Sequence, residues 1–221
     1  MKAKILFGAT IALVASVLTS CGGTGGFGKL EMDSADAMTK VKELVSDNFD
    51  SNEWKLVEMN WNEGSGDRAT LENNLNLGYV SVKVVNAKGQ VFVQSFIGQT
   101  GFTPSNISPD HWYSYLDYEK IKPIDMTKFD PAAIVKILDE AKAMIPEEYE
   151  FKSLADYEIK AGVPDNREGE GEYTAEQTAS FTINVVEKGN ETVSNAGTTS
   201  IIYYEIDYKV AADGTITMDL D

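Results

Sequence analysis

Apolar positions recur along this chain with two different periods. Between residues 35 and 48, Met38, Val41, Leu44 and Val45 fall at helical spacing. Asp33 or Ser34 stands in front of them, and either side chain can accept the first free amides of a helix. The pattern then changes. Residues 54–61 read Trp-Lys-Leu-Val-Glu-Met-Asn-Trp, an aromatic and β-rich run that predicts a strand. A second strand is predicted over 75–85, with Tyr79, Val80, Val82, Val84 and Val85. Asn86-Ala87-Lys88-Gly89 is a tight turn, and 91–97 returns as the hairpin partner.

The same order comes again in the second half. Asp130-Pro131 is a cap followed by proline at the first helical position. Ile134, Ile137, Leu138, Ala141 and Ile145 then mark one apolar face. Strands are predicted over 151–159, 179–188 and 201–210, and Ile216, Met218 and Leu220 alternate after an Asp213-Gly214 turn. Glu53-Trp54 overlays Glu150-Phe151 at an offset of 97 residues, while Lys88-Gly89 overlays Asp213-Gly214 at 125. The second half therefore carries 28 more residues between its first strand and its last hairpin. The fold class expected is α+β, as two tandem helix-plus-antiparallel-sheet repeats. Five segments follow: a leader (1–20), a flexible tether (21–33), a first repeat (34–98), an aromatic linker (99–129) and an enlarged second repeat (130–221). The two sheets either stand apart or join side by side into one surface.

The leader is read from charge and apolarity together. Lys2 and Lys4 precede an apolar run over 5–17, and Leu18-Thr19-Ser20-Cys21 closes it. That box resembles the cleavage site of bacterial lipoproteins, which implies removal of residues 1–20 and acylation of Cys21. Gly22 in place of Asp implies the outer membrane, with the membrane face left open. Cleavage takes away two lysines and no acid, leaving 17 basic against 35 acidic groups, a net charge of −18. The single cysteine is then committed to lipid, and the fold has to hold by packing without a disulfide.

That charge argues against a nucleic-acid partner, which would need a concentrated basic surface. One histidine, His111, supplies too little for a zinc site, and Asp110, His111 and Ser114 lie too close in sequence to draft as a triad. No catalytic residue, metal site or cofactor is assigned. The loop Asp165-Asn166-Arg167-Glu168-Gly169-Glu170-Gly171-Glu172 is acidic but misses the calcium-loop offsets, and is expected to be solvated and mobile. Residues 147–191 hold 12 acidic and 4 basic groups, a field that can steer a basic partner or simply keep the protein soluble.

Four aromatic residues are the candidate partner-binding set: Trp61, Trp112, Tyr113 and Tyr115. Rings of this kind give large, rigid contact area. Trp112, Tyr113 and Tyr115 either grip a ligand or fill the junction between the halves. Trp54 and Trp61 are seven apart on one strand, so unbroken alternation puts them on opposite faces. Trp54 overlays Phe151 and is the core candidate, which leaves Trp61 exposed.

Ser20-Cys21-Gly22-Gly23 resembles the lipoproteins of Bacteroides and relatives. The repeated plan over about 34–221 is similar to tandem PepSY-like or β-lactamase-inhibitor-like periplasmic proteins. That resemblance implies a non-enzymatic protein that binds or inhibits another protein through a concave sheet face, without a cofactor. The other functions weighed are a glycan-binding accessory using exposed aromatics, and a hydrolase with a carboxylate pair.

Overall fold

The computed structural model describes residues 30–64, 75–113, 115–195 and 198–219. The leader, Cys21, Ser114, Leu220 and much of the turn after the first strand lie outside the described residues.

Both helices start where the caps place them. Helix α1 (Ala35–Asn48) is capped by the Ser34 hydroxyl, which accepts from the Ala37 amide at 3.1 Å. It buries Ala37, Met38, Val41, Leu44 and Val45. Helix α2 (Pro131–Lys142) is capped by Asp130 and buries Ile134, Leu138 and Ala141. The two helices touch, and Lys142 of α2 reaches Asp33 at 2.7 Å.

The strands are β1 (Trp54–Asn62), β2 (Tyr79–Asn86), β3 (Val91–Ile97), β4 (Thr103–Pro104), β5 (Ser108–Pro109), β6 (Tyr149–Lys160), β7 (Thr178–Glu187), β8 (Thr192–Asn195), β9 (Thr198–Ile201), β10 (Tyr204–Val210) and β11 (Ile216–Asp219). Nine of them form one antiparallel sheet in the order β11-β10-β7-β6-β1-β2-β3-β4, with β5 also on β3; β8 and β9 make a separate hairpin. The α+β class holds. The two halves join side by side through their first strands, with Met59 opposite Ile159 and Trp61 opposite Tyr157. Outward from that seam, β2 and β3 follow on one side and β7, β10 and β11 on the other.

One face of this sheet meets the helices. Trp61, Tyr157, Phe181 and Tyr208 form a stack across four strands, with centroids 4.7, 5.3 and 5.0 Å apart and planes within 11°. Register produces this ladder, because each ring stands opposite the next. Phe129 closes one end edge-on to Trp61 at 6.0 Å, and the Tyr208 hydroxyl donates to the Ala141 carbonyl of α2 at 3.2 Å.

Four expectations are corrected here. Trp61 is not exposed: its relative exposure is 0%. Trp54 is the half-buried one, at the rim of the core against Phe92 at 5.4 Å. The reason is a β-bulge between Leu56 and Glu58. The extra residue, Val57, shifts the phase, so Trp54 and Trp61 share the helix-side face. The tether is shorter than expected. The Leu77 amide donates to the Leu30 carbonyl at 2.7 Å, the Met32 amide to Leu75 at 3.0 Å, and Met32 is buried. The aromatic linker contains strands β4 and β5 along the β3 edge. Finally, the 165–172 loop is held in place. Asn166 and Glu170 bond reciprocally, and Tyr173 donates to the Gly169 carbonyl at 2.9 Å while accepting from the Asp117 amide at 2.8 Å. The additional residues of the second half are divided between loop 161–177 and the β8–β9 hairpin.

Candidate functional site

Alternation that sends rings to the helices sends polar side chains the other way. On β1 these are Glu58, Asn60 and Asn62; on β2, Tyr79, Ser81 and Lys83. On β6 they are Ser153, Asp156, Glu158 and Lys160, on β7 Ser180, Thr182 and Asn184, and on β10 Glu205, Asp207 and Lys209. No helix covers this face among the described residues.

A depression of about 430 Å³ opens there, lined by Asn60, Asn62, Glu63, Asp156, Glu158, Asn184, Tyr203 and Glu205 among others. Its floor is built from buried polar groups. Glu63 Oε1 accepts from Asn184 Nδ2 at 3.0 Å and from the Ser153 hydroxyl at 3.3 Å, and Asn184 also donates to Ser153 at 3.0 Å. All three residues are buried, with Glu63 at 4%. A buried polar network of this kind stays intact only when its members are bonded.

The carboxylates along the rim are in unequal positions. Lys83 pairs with Glu58 at 3.0 Å and approaches Asp110 at 3.8 Å. Lys160 pairs with Glu158 at 2.9 Å. Among the described residues, no lysine or arginine pairs with Asp156, Glu205 or Asp207. Burial pushes the Asp156 carboxyl up to about 6, and the charges of Asp207, Glu158 and Glu205 push the same way. A side-chain hydrogen bond from Thr182 offsets part of that rise when its hydroxyl turns from Asp207, 2.7 Å away, to Asp156.

The aromatic segment borders this face. Tyr113 is half-buried, with Lys83 5.6 Å from its ring centroid. Its phenol is raised above the ordinary value first by burial, then by Asp165, Glu58 and Asp110. Its neighbours project outward: Trp112 is 57% exposed and Tyr115 49%. Leu116, one residue on, is fully buried and donates its amide to the Gly89 carbonyl at 2.9 Å. Gly89 and Gly169 both have positive φ, at 76° and 64°, and a Cβ on either would strike Tyr115. These two glycines let the segment lie flat against the β2–β3 turn and the 165–172 loop.

The structure thus brings Tyr113 to Lys83 on the bare face, sets Tyr115 against the Gly89 turn, leaves Trp112 exposed and removes Trp61 to the core. Sequence reasoning did not single out Asp156, Glu158, Glu205 or the Glu63 floor. Their signal was present as polar positions alternating with apolar ones on strands of the second half. His111 is exposed. Among the described residues no group of three potential metal ligands forms a cluster, and no helix is long and apolar enough to cross a membrane. A larger recess of about 590 Å³ lies between the end of α1 and residues 122–128, with Trp54, Phe49 and Met126 in its wall. Compared with protein-family models, curated proteins and solved structures, the chain matches none of them.

Proposed function

We propose that this chain is a non-enzymatic lipoprotein of the bacterial cell envelope that binds or inhibits a protein partner through the bare face of its sheet. The observation that carries the reading is the one-sided packing. Both helices and the ring ladder occupy one face, while the other presents a polar depression, and the segment that carries the exposed Trp112 and Tyr115 meets that face at Lys83 through Tyr113. Exposed rings beside a polar field are the composition of a recognition surface.

The leader and the box ending at Cys21 support anchoring to the outer membrane through acyl chains, with removal of residues 1–20. In this reading the two helix-plus-strands units are a tandem duplication of PepSY-like type, joined at β1 and β6. What supports it is that β1 and β6 pair, with β2 and β3 outward on one side and β7 and β10 on the other.

Anchoring is tested by labelling cells with a palmitate analogue. Label is expected on the wild type and lost in Cys21→Ser. The face is tested by capture from envelope extract with wild type and with Asn60→Arg, which sets a long side chain in the depression. A partner held by the wild type and released by Asn60→Arg supports the reading; capture unaffected by Asn60→Arg refutes it. The same pair is run on a glycan array. Signal there that Trp112→Ala abolishes would replace the protein partner with a sugar.

A further inference from the structure

The bare face has an electrical imbalance that its own residues do not correct. Across β1, β2, β6, β7 and β10 it carries Glu58, Asp156, Glu158, Glu205 and Asp207 against Lys83, Lys160 and Lys209. Lys83 and Lys160 are held by Glu58 and Glu158. The carboxylates of Asp156 on β6 and of Glu205 and Asp207 on β10 flank β7, with no lysine or arginine paired to them among the described residues. Asp156 and Glu205 line the depression itself, above the buried Glu63–Ser153–Asn184 floor. Like charges in a partly desolvated hollow repel, and among the described residues no lysine or arginine stands against Asp156 or Glu205 there.

Resting on the partner-binding reading above, we infer that this sheet face docks a positively charged segment of a protein partner, with a lysine or arginine side chain entering the depression between Asp156 and Glu205. The argument is charge complementarity on an uncovered sheet face. The hollow accommodates a side chain, not a folded domain, and its polar walls offer acceptors. Asn60 and Asn62 from β1, with Glu63, Glu158 and Asn184, make up its polar wall.

The inference carries a pH dependence with a defined sign. The charged groups facing Asp156 are Glu158 on its own strand and Glu205 and Asp207 on β10, with Glu63 lining the same hollow. β1 and β7 contribute the uncharged Asn62, Thr182 and Asn184. A cation in the hollow lowers the Asp156 carboxyl from its raised value, so docking releases a proton near that value and weakens as the pH falls through about 6.

The test uses the full chain with lipid retained in detergent and a fluorescent hexalysine peptide as probe, read by anisotropy in moderate salt. Hexalysine is expected to bind, and Asp156→Asn with Glu205→Gln to weaken it by about tenfold or more. Glu168→Gln with Glu170→Gln removes the same charge from the 165–172 loop and is expected to leave binding within about twofold, since distant surface charges are screened. Equal loss in both pairs overturns the inference, because the peptide would then report net charge alone. No binding by the wild type also overturns it. NMR of the Asp156 carboxyl carbon gives a readout independent of affinity: its titration midpoint is expected to fall on adding hexalysine, and an unmoved midpoint refutes entry into the hollow. If hexalysine fails while Asn60→Arg still releases a captured partner, the face binds a partner of other chemistry. If both fail, the partner-binding reading falls with it.

Discussion

The two faces of the central sheet are made by the same strands and obey opposite physics. On the helix side, Trp61, Tyr157, Phe181 and Tyr208 stack ring on ring, and each contact removes apolar area from water. On the other side, Asp156 is half-buried, and the charges of Asp207, Glu158 and Glu205 add to burial in raising its proton affinity. The first face contributes stability through packing. The second holds groups whose mutual repulsion works against folding. A polar face that opposes folding is a candidate for function, since stability alone would favour neutral residues there.

The sharpest way to break this comparison is to remove the residue that sets the phase between the faces. Deleting Val57 erases the β1 bulge and forces one end of the strand to turn over. Either Trp54 or the Met59–Trp61 end then faces the polar side. The expected loss is more than ~4 kcal/mol, seen as an absent cooperative transition in urea. A protein that still unfolds cooperatively near the wild-type midpoint would show that the bulge does not set the faces.

Tyr157→Ala tests the ladder. It removes the ring between Trp61 and Phe181, and the cost expected is ~3–5 kcal/mol in urea unfolding. A loss below ~1 kcal/mol would mean that the stack closes over the gap.

Asp156→Asn tests the opposite face and has the opposite sign. The Asp156 carboxyl is raised from 3.8 to about 6, so the folded state resists its ionisation. Below the unfolded value the group is protonated in both states and contributes nothing. As the pH rises through the window between those values, the penalty grows, and it is fully present above about 6. With allowance for the side chain's partial exposure, the variant is expected to be ~1–2 kcal/mol more stable than wild type at neutral pH. The gain should vanish below about pH 4. A destabilised variant at neutral pH would refute the repulsion.

Trp112→Ala has the smallest expected effect on folding, within ~0.5 kcal/mol, because the ring is largely in water. A large loss would make Trp112 part of the fold.

The helix starts were legible in the sequence to within a residue, while the second helix ends at Lys142, short of the Ile145 that the apolar pattern included. Ser34 and Pro131 fix their starts by backbone chemistry that acts within one turn. The hairpin at Asn86–Gly89 was legible for the same reason. Trp61 was misplaced because a bulge depends on what the partner strands β2 and β6 demand, not on the run 54–61 itself. The candidate site was legible only as a class. A local excess of acid over 147–191 was visible, but Asp156 meets Glu205 and Asp207 through strand pairing, over some fifty residues of chain.

The sequence by itself therefore determined the elements, the alternation along each strand and the heavy negative charge, since all three depend on neighbours along the chain. The tertiary structure decided which alternate positions became core and which became surface, and it decided that the two halves share one sheet. It also decided which carboxylates, among the described residues, have no lysine or arginine against them. Those outcomes depend on register between strands distant in sequence, where a shift of one residue exchanges the two faces.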